Sequence, residues 1–141
     1  MRQVEEKYIK SGKVRLGFWQ FAFLGDESTW AAEAAECAEE QKKFWEYHDK
    51  LFTSQAGENQ GAFNKDKLKG FAATLGLDST KFNECLDSGK YASAVQEQGQ
   101  IASQLGVQST PAFLVNGIPL TGAQPYENFQ KIIEAQLKPA P

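Results

Sequence analysis

The side chains of this sequence best suited to redox, nucleophilic or metal chemistry are two cysteines, Cys37 and Cys85, and one histidine, His48. The cysteines lie far apart along the chain, so they do not form the CxxC pair of a local dithiol site. Two thiols and one imidazole also fall short of the four ligands of a structural zinc site. We therefore predict no catalytic dithiol within this sequence, no metal and no cofactor.

His48 has two interpretations. An acid–base role would need a nucleophile, and no nucleophilic Ser or Cys is placed beside it in the sequence. The residue instead lies next to Trp45, on the apolar face of a predicted helix. Because aromatic and apolar neighbours favour burial, we predict a core histidine with one hydrogen bond.

Four glutamates precede His48 on the same predicted helix: Glu33, Glu36, Glu39 and Glu40. A carboxylate metal site of the di-iron type requires a Glu-x-x-His motif. Here Glu46 lies two residues before His48 rather than three, so the motif is not met. We predict a solvated helix face, as the charge pattern favours.

Composition excludes several classes of function. The net charge is −3 and there is no Lys/Arg-rich run, so we predict no nucleic-acid partner. No apolar run approaches the ~20 residues of a membrane span, and the N-terminus lacks the apolar core of a signal peptide. With 41% hydrophobic residues, the 141-residue chain can bury a core of its own.

The first half of the chain predicts a helix end, a strand and a long helix. Residues 2–10 have one apolar face, and Ser11-Gly12 closes that helix. Residues 13–21 are rich in β-branched and aromatic side chains, which predicts a strand. From residue 30 to 52 apolar residues recur about every 3.6 positions, which predicts one long amphipathic helix, straight or bent.

The second half predicts three shorter helices and then a hairpin. The helices cover 65–75, 78 or 79 to 86, and 91–105, and each ends at a glycine. AFLV, Asn116-Gly117 and IPL have the pattern of a β-hairpin. Pro125 suits the first position of a final helix that runs to about Leu137. The economical architecture is one sheet built from both ends of the chain, with a helical module attached.

Several segments together resemble the DsbA-like branch of the thioredoxin fold. They are VRLGFWQFAFLG, WAAEAAECA, FWEYHDKLF, FNECLDSGKY, LGVQSTPAFLVNG and GAQPYENF. The resemblance covers nearly the whole chain and implies an α/β fold, with a thioredoxin-like core interrupted by an all-helical insertion. The incomplete core would be 1–27 and 106–141, and the insertion 28–105.

The resemblance also implies a role for Thr110-Pro111. In this family the matching peptide bond is cis, and its loop faces the redox-active CxxC and helps to hold an extended or unfolded polypeptide substrate. Thr110 could then pair its main chain with an added strand. The alternative is an ordinary trans proline at the start of a strand, where proline is tolerated.

The sequence departs from the family in lacking the first strand and the CxxC. It begins within the helix that would carry those cysteines, so we expect Met1 to be an internal methionine of a longer, exported protein. Without an attacking thiolate, this chain alone should not carry the family's thiol–disulfide exchange. The alternative function is a redox-inactive module of the same fold that binds peptides or self-associates.

The missing strand is the central one, between 13–19 and 112–116. We expect those two segments to pair directly, or to borrow a strand from another copy in a homo-oligomer. Four aromatic residues would form an exposed patch if the strand is not replaced and would otherwise be core: Phe18, Trp19, Phe21 and Phe23.

Finally, the family often bridges the positions that match Cys37 and Cys85. We therefore predict a structural disulfide, worth about 4 kcal/mol in the chain-entropy model, and an oxidising compartment. The alternative is two separate buried thiols that act as small apolar side chains.

Overall fold

The computed structural model describes residues 1–138, which divide into two compact units. The first unit contains Met1–Phe18 and the chain from Ser103 onward, and the second contains Trp19–Ala102. The predicted assignment of 1–27 with 106–141 to a core, and of 28–105 to an insertion, stays a prediction, and its residues 139–141 lie outside the described range. In chain order the elements are α1 (Arg2–Val4), a π-helical turn (Glu5–Ile9), α2 (Asp26–Glu39), α3 (Phe44–Thr53), α4 (Lys65–Thr74), α5 (Ser79–Asp87), α6 (Ala92–Gln104), β1 (Ala112–Val115), β2 (Ile118–Thr121) and α7 (Tyr126–Gln136).

The hairpin of the first unit forms as the sequence predicted. Strands β1 and β2 are antiparallel, and Val115 pairs with Ile118 on either side of the turn. Asn116 and Gly117 have φ angles of 49° and 84°. This is the left-handed pair that a two-residue hairpin turn requires, and Asn-Gly adopts it at little cost.

One face of the hairpin packs on the helices of the first unit. The rings of Phe113 and Phe129 meet edge to face at 4.9 Å, which joins β1 to α7. The buried residues of this cluster are Val4, Tyr8, Phe129 and Ile133. The N-terminal helical segment and α7 therefore enclose the apolar side of a two-stranded sheet.

The second unit has its core among α2, α3, α4 and α5. Its largest fully buried side chains include Tyr47, Leu68, Phe82 and Leu86. The Tyr47 hydroxyl donates to the carbonyl oxygen of Leu68 at 2.8 Å, so the phenol is buried with its polar atom satisfied. The core holds α3 against α4 through a hydrogen bond as well as apolar contact.

The helix ends and the helix start that the sequence predicted between residues 65 and 106 are confirmed. Asp78 caps α5 by accepting from the main-chain N–H groups of Thr80 and Lys81. The three predicted stops, Gly76, Gly89 and Gly106, all have positive φ. Such residues end a helix because they adopt the left-handed conformation without a steric penalty.

The predicted strand at 13–21 is wrong, because residues 13–24 contain no strand in the structure. The predicted direct pairing of 13–19 with 112–116 is also not formed, since β1 pairs with β2. A strand needs a neighbouring main chain as well as strand-like side chains. Here the main-chain N–H of Gln20 donates instead to Gln98 Oε1, at 2.8 Å.

The prediction of one helix from 30 to 52 is also wrong, because the chain breaks between α2 and α3. Lys42 has a φ of 59°, and its N–H donates to the carbonyl of Glu39 at 2.8 Å. The N–H of Lys43 donates to the carbonyl of Ala38 at 3.0 Å. These bonds form a Schellman ending, with lysine at the left-handed position that glycine usually takes. The break was missed because no glycine marks it.

Candidate functional site

The loop before β1 contains the residues that the sequence singled out for substrate binding. The Thr110–Pro111 peptide bond is cis, and both residues are exposed. The carbonyl oxygen of Pro111 accepts from the N–H of Gly122 at 2.8 Å, which ties the loop to the far end of β2. Thr110 is therefore exposed on a loop whose last residue is held by the hairpin.

The segment that contains this loop has no acidic or basic side chain. From Gln98 to Tyr126 the sequence contains no Asp, Glu, Lys, Arg or His. Ser109 and Thr110 provide hydroxyl groups, and Leu114 is 57% exposed on β1. Such a segment suits neutral, extended ligands that offer main-chain hydrogen bonds and apolar side chains.

The structure joins Cys37 of α2 to Cys85 of α5 by a disulfide with a Cα–Cα distance of 5.9 Å. The alternative of two separate thiols is therefore not what the structure contains. Cys37 is 1% exposed and Cys85 is 5% exposed. A thiolate in solution has little access to either sulfur, so this bond has the setting of a structural cross-link rather than a catalytic one.

Glu33 corrects the prediction of a fully solvated glutamate face. Its side chain is buried on α2, one turn before Cys37, whereas Glu39 and Glu40 are exposed as predicted. Burial raises the pKa of Glu33, and the nearby charge of Lys65 opposes that rise. The periodicity argument misplaced this residue because α2 buries a wider face than its apolar residues indicate.

A second acidic residue, Glu40, directly follows α2 and belongs to a cluster of polar side chains at the surface. Its carboxylate forms an ion pair with Lys90 and accepts a hydrogen bond from the Tyr91 hydroxyl at 2.7 Å. The contact with Lys90 lowers the pKa of Glu40, and the hydrogen bond to Glu40 raises the pKa of Tyr91 to about 12. This cluster links the end of α2 to the segment between α5 and α6. The disulfide joins the same two helices, α2 and α5.

The aromatic segment from Trp19 to Leu24 forms neither helix nor strand and is anchored at its start. The indole N–H of Trp19 donates to the carbonyl of Gln98 at 2.9 Å, and the side-chain amide of Gln20 donates to Glu36 at 3.1 Å. Trp19 and Phe23 nevertheless remain 53% and 50% exposed. Phe18 is also exposed and Phe21 is partly buried, so three of the four aromatic residues match the exposed outcome that the sequence left open.

The predicted contact of His48 with Trp45 is confirmed, and its predicted burial is only partial. Its ring is half-buried, its Nδ1 lies 3.0 Å from Asp49, and it contacts Trp45 and Phe52, which are exposed. The buried residue of α3 is instead Tyr47. Tyr47, whose hydroxyl has a hydrogen bond inside the core, is the neighbour of His48 on α3. Periodicity alone does not show which of the two residues is the buried one.

Two further properties follow from residues 1–138. No group of three or more His, Cys, Asp or Glu side chains among them is arranged to hold a metal ion. Within the same range, no helix combines the length and the apolar character needed to cross a membrane.

Comparison with known proteins identifies the family. A family model described as Thioredoxin matches residues 1–135. The chain belongs to the thioredoxin family. A crystal structure of oxidised BdbD from Bacillus subtilis covers 97% of this chain, with a TM-score of 0.88 and 26% identity, and the chain covers 76% of that structure.

Curated relatives point to the DsbA-like branch of the thioredoxin family. Disulfide bond formation protein D of Bacillus subtilis is 28% identical over 139 residues, which are 96% of this chain and 63% of that protein. Thiol:disulfide interchange protein DsbA of Bordetella pertussis is 31% identical over 91 residues, which are 62% of this chain and 44% of that protein. The predicted family and the predicted α/β thioredoxin-like fold are thereby confirmed. The chain spans less than two thirds of the length of these relatives.

Gln98 is the structural residue that sequence reasoning missed. Its carbonyl and its side-chain oxygen accept from Trp19 and Gln20, respectively, so it holds the start of the aromatic segment. A polar residue on a helix gives no sequence signal for a contact so distant along the chain. The one available signal was that residues 13–21 have a strand-like composition but no partner strand, so that their main-chain groups needed another hydrogen-bond partner.

Proposed function

We propose that this chain provides the peptide-binding part of a DsbA-like thiol–disulfide oxidoreductase that acts on extended or unfolded polypeptides. The relatives named above are disulfide bond formation and thiol:disulfide interchange proteins, which supports this class of reaction. The observation that carries the assignment to this chain is the exposed, uncharged loop at Thr110 and Pro111, held at the head of β1. We propose an oxidising compartment outside the cytoplasm, where disulfides persist.

In thiol–disulfide exchange, a thiolate attacks one sulfur of a disulfide and the other sulfur leaves as a thiolate. We assign the attacking thiolate to a dithiol that this sequence does not contain. Cys37 and Cys85 are bonded to each other and buried, so they are poorly placed to attack a substrate. The contribution of Thr110 is to pair its main-chain groups with an extended substrate, as in strand addition.

Binding of a permanently reduced and alkylated, unfolded polypeptide tests this proposal. Thr110→Glu puts a carboxylate into the uncharged loop. Because that charge would have to be desolvated where the polypeptide binds, we expect it to weaken binding by about tenfold or more. Thr121→Glu is the matched control, since Thr121 is exposed at the far end of the same hairpin. Equal effects of the two variants would remove the binding role from the loop.

Turnover is tested separately by reduction of insulin. We expect the 141-residue chain to add nothing to the rate given by the thiol reductant alone, and replacement of Cys37 and Cys85 to leave that rate unchanged. Catalysis that disappears with the two cysteines would show that the buried disulfide is the redox centre. That result would overturn our division of roles.

A second candidate function is self-association through strand exchange. Exposed apolar side chains favour it, because Leu16, Phe18 and Trp19 are 37%, 43% and 53% exposed. Large exposed apolar areas commonly mark contacts between proteins. The test is the molar mass of the chain in solution as its concentration rises, and a constant monomer mass would exclude this candidate.

A further inference from the structure

The two helices that the disulfide joins differ in how deeply they are buried. Helix α2 exposes only its first and last residues, Asp26 and Glu39. Helix α5 exposes five of its nine residues, which are Ser79, Thr80, Lys81, Glu84 and Asp87. The disulfide therefore connects a central helix of the second unit to a helix at its surface.

The contacts of the two helices agree with this difference. Helix α2 packs against α3, α4 and α5, and α5 packs against α2 and α4. Beside Cys37 on α2, Ala34 and Ala38 have no exposed surface, whereas the residue before Cys85 on α5 is the exposed Glu84. Moving α2 would therefore disturb more of the core than moving α5, and transient openings follow the less costly route.

The direction of chemical attack depends on which helix moves. A thiolate attacks a disulfide sulfur in line, from the side opposite to the sulfur that leaves. Attack on the Cys37 Sγ atom must come from the α2 side, where Cys37 and its neighbours are buried. Attack on the Cys85 Sγ atom comes from the α5 side, which an outward movement of α5 uncovers.

We propose that Cys85 is the site at which this chain exchanges with external thiols and disulfides, and that Cys37 is the sulfur that leaves and returns. The ligand is a low-molecular-weight thiol or its disulfide, which attaches to Cys85 as a mixed disulfide. This site is separate from the loop at Thr110 and does not depend on the peptide-binding function proposed above.

In the reducing direction, an external thiolate forms a bond to Cys85 Sγ as the bond between the two cysteines breaks. The electron pair of that bond leaves on Cys37 Sγ, which takes a proton from solvent. A second external thiolate attacks the external sulfur of the mixed disulfide and releases Cys85 as a thiolate. Two external thiols are thereby oxidised to one disulfide, and the two cysteines are reduced.

In the oxidising direction the same steps run backwards. The sequence contains no third cysteine, so an external disulfide must accept the two electrons. The Cys85 thiolate attacks that disulfide and releases one external thiol. Cys37 then attacks Cys85 Sγ, which closes the structural bond and releases the second external thiol.

Single-cysteine variants test the position of the exchange site. Cys37→Ala keeps Cys85, and Cys85→Ala keeps Cys37; both are incubated with oxidised glutathione, and the adduct is followed by mass. Each native rate is divided by the rate in concentrated urea, which corrects for the intrinsic reactivity of the two thiols. We expect the corrected rate to be roughly tenfold or more higher at Cys85, because its helix opens more often. Equal corrected rates, or a higher rate at Cys37, would overturn the proposal.

Helix caps test the opening on a chain that keeps its disulfide. Asp78 caps α5 by accepting from the main-chain N–H groups of Thr80 and Lys81. Asn64 caps α4 in the same way by accepting from that of Lys67. We expect Asp78→Ala to speed reduction of the native disulfide by reduced glutathione about fivefold, the effect of one lost cap. Asn64→Ala, which removes a similar cap from another helix, is the matched control and should change the rate little.

The remaining outcomes separate α5 from the rest of the unit. If the core must come apart before either sulfur is reached, the two cap variants should speed reduction equally, and the role of α5 is overturned. The attacked sulfur is also identified in the unaltered chain, by stopping the reduction with acid and mapping the glutathione adduct by mass spectrometry. We expect the adduct on Cys85, and its location on Cys37 would overturn the assignment.

Discussion

The Tyr8 hydroxyl donates to Glu134 Oε1 at 2.7 Å and joins the π-helical turn to α7. Gln130 donates to the same oxygen at 2.8 Å, and the Lys7 ammonium lies 3.3 Å from it. Hydrogen bonds from Gln130, Tyr8 and Lys7 lower the pKa of Glu134 to about 2. Burial and the bond to Glu134 raise the pKa of Tyr8 to about 12.

The first prediction concerns acid stability. Because the folded state lowers the pKa of Glu134 from 4.5 to about 2, its carboxylate stabilises the fold above the unfolded value and loses that effect as the pH falls towards 2. Glu134→Gln should therefore flatten the fall in unfolding free energy over this window, measured by urea titration at several pH values. Glu127→Gln, an exposed glutamate of the same helix, is the control. Parallel curves for wild type and Glu134→Gln would contradict the assignment.

The second prediction concerns the disulfide. Replacing both Cys37 and Cys85 by alanine opens the loop that the bond closes, and we expect a loss of about 4 kcal/mol of unfolding free energy. Urea unfolding under oxidising conditions measures it. Wild-type protein unfolded in the presence of reductant should approach the same lower value. A double variant as stable as the oxidised wild type would show that the bond adds no stability.

The third prediction concerns the buried phenol of Tyr47. Tyr47→Phe keeps the ring and removes the hydrogen bond to Leu68, so we expect a loss of about 1 kcal/mol or slightly more. Tyr91→Phe removes a hydrogen bond from a partly exposed phenol and should cost less. Chemical unfolding of both variants makes the comparison, and a larger cost for Tyr91 would reverse our ranking of the two bonds.

The fourth prediction concerns Glu33. Burial raises its pKa in the folded state, so the folded form holds the proton more tightly than the unfolded form does. Its contribution to stability is then complete below the unfolded pKa and declines as the pH rises through the folded pKa. Glu33→Gln should remove this decline and unfold at a higher urea concentration at neutral pH. Glu39→Gln, on the exposed side of α2, should change little. A Glu33→Gln variant less stable at neutral pH would mean that the favourable effect of the nearby Lys65 charge outweighs the cost of burial.

The features predicted correctly from sequence depend on contacts a few residues apart. Asn116-Gly117 marks a hairpin turn because few other pairs tolerate two left-handed residues in succession. Asp78 marks a helix start because its side chain can reach the N–H groups that the first turn leaves unpaired. The family resemblance rested on such segments in a fixed order.

The features missed depend on distant parts of the chain. Residues 13–21 have the composition of a strand, but strand formation needs a second main chain. Here the indole N–H of Trp19 and the main-chain N–H of Gln20 bond to Gln98 instead. The burial of Glu33 depends on how the helices around α2 pack, which its local sequence does not encode. The candidate site divides in the same way, since the loop at Thr110 could be located from the sequence and the contacts of Gln98 with the aromatic segment could not.

The burial of Cys37 and Cys85 gives the disulfide a use as a reporter of internal motion. A reductant cannot reach either sulfur while the helices α2 and α5 stay closed, so each reduction event must wait for a transient opening. The rate of disulfide reduction under native conditions therefore reports how often α2 and α5 open. Comparing this reduction rate with the rate of global unfolding would show whether the second unit exposes the disulfide by local opening or by complete unfolding.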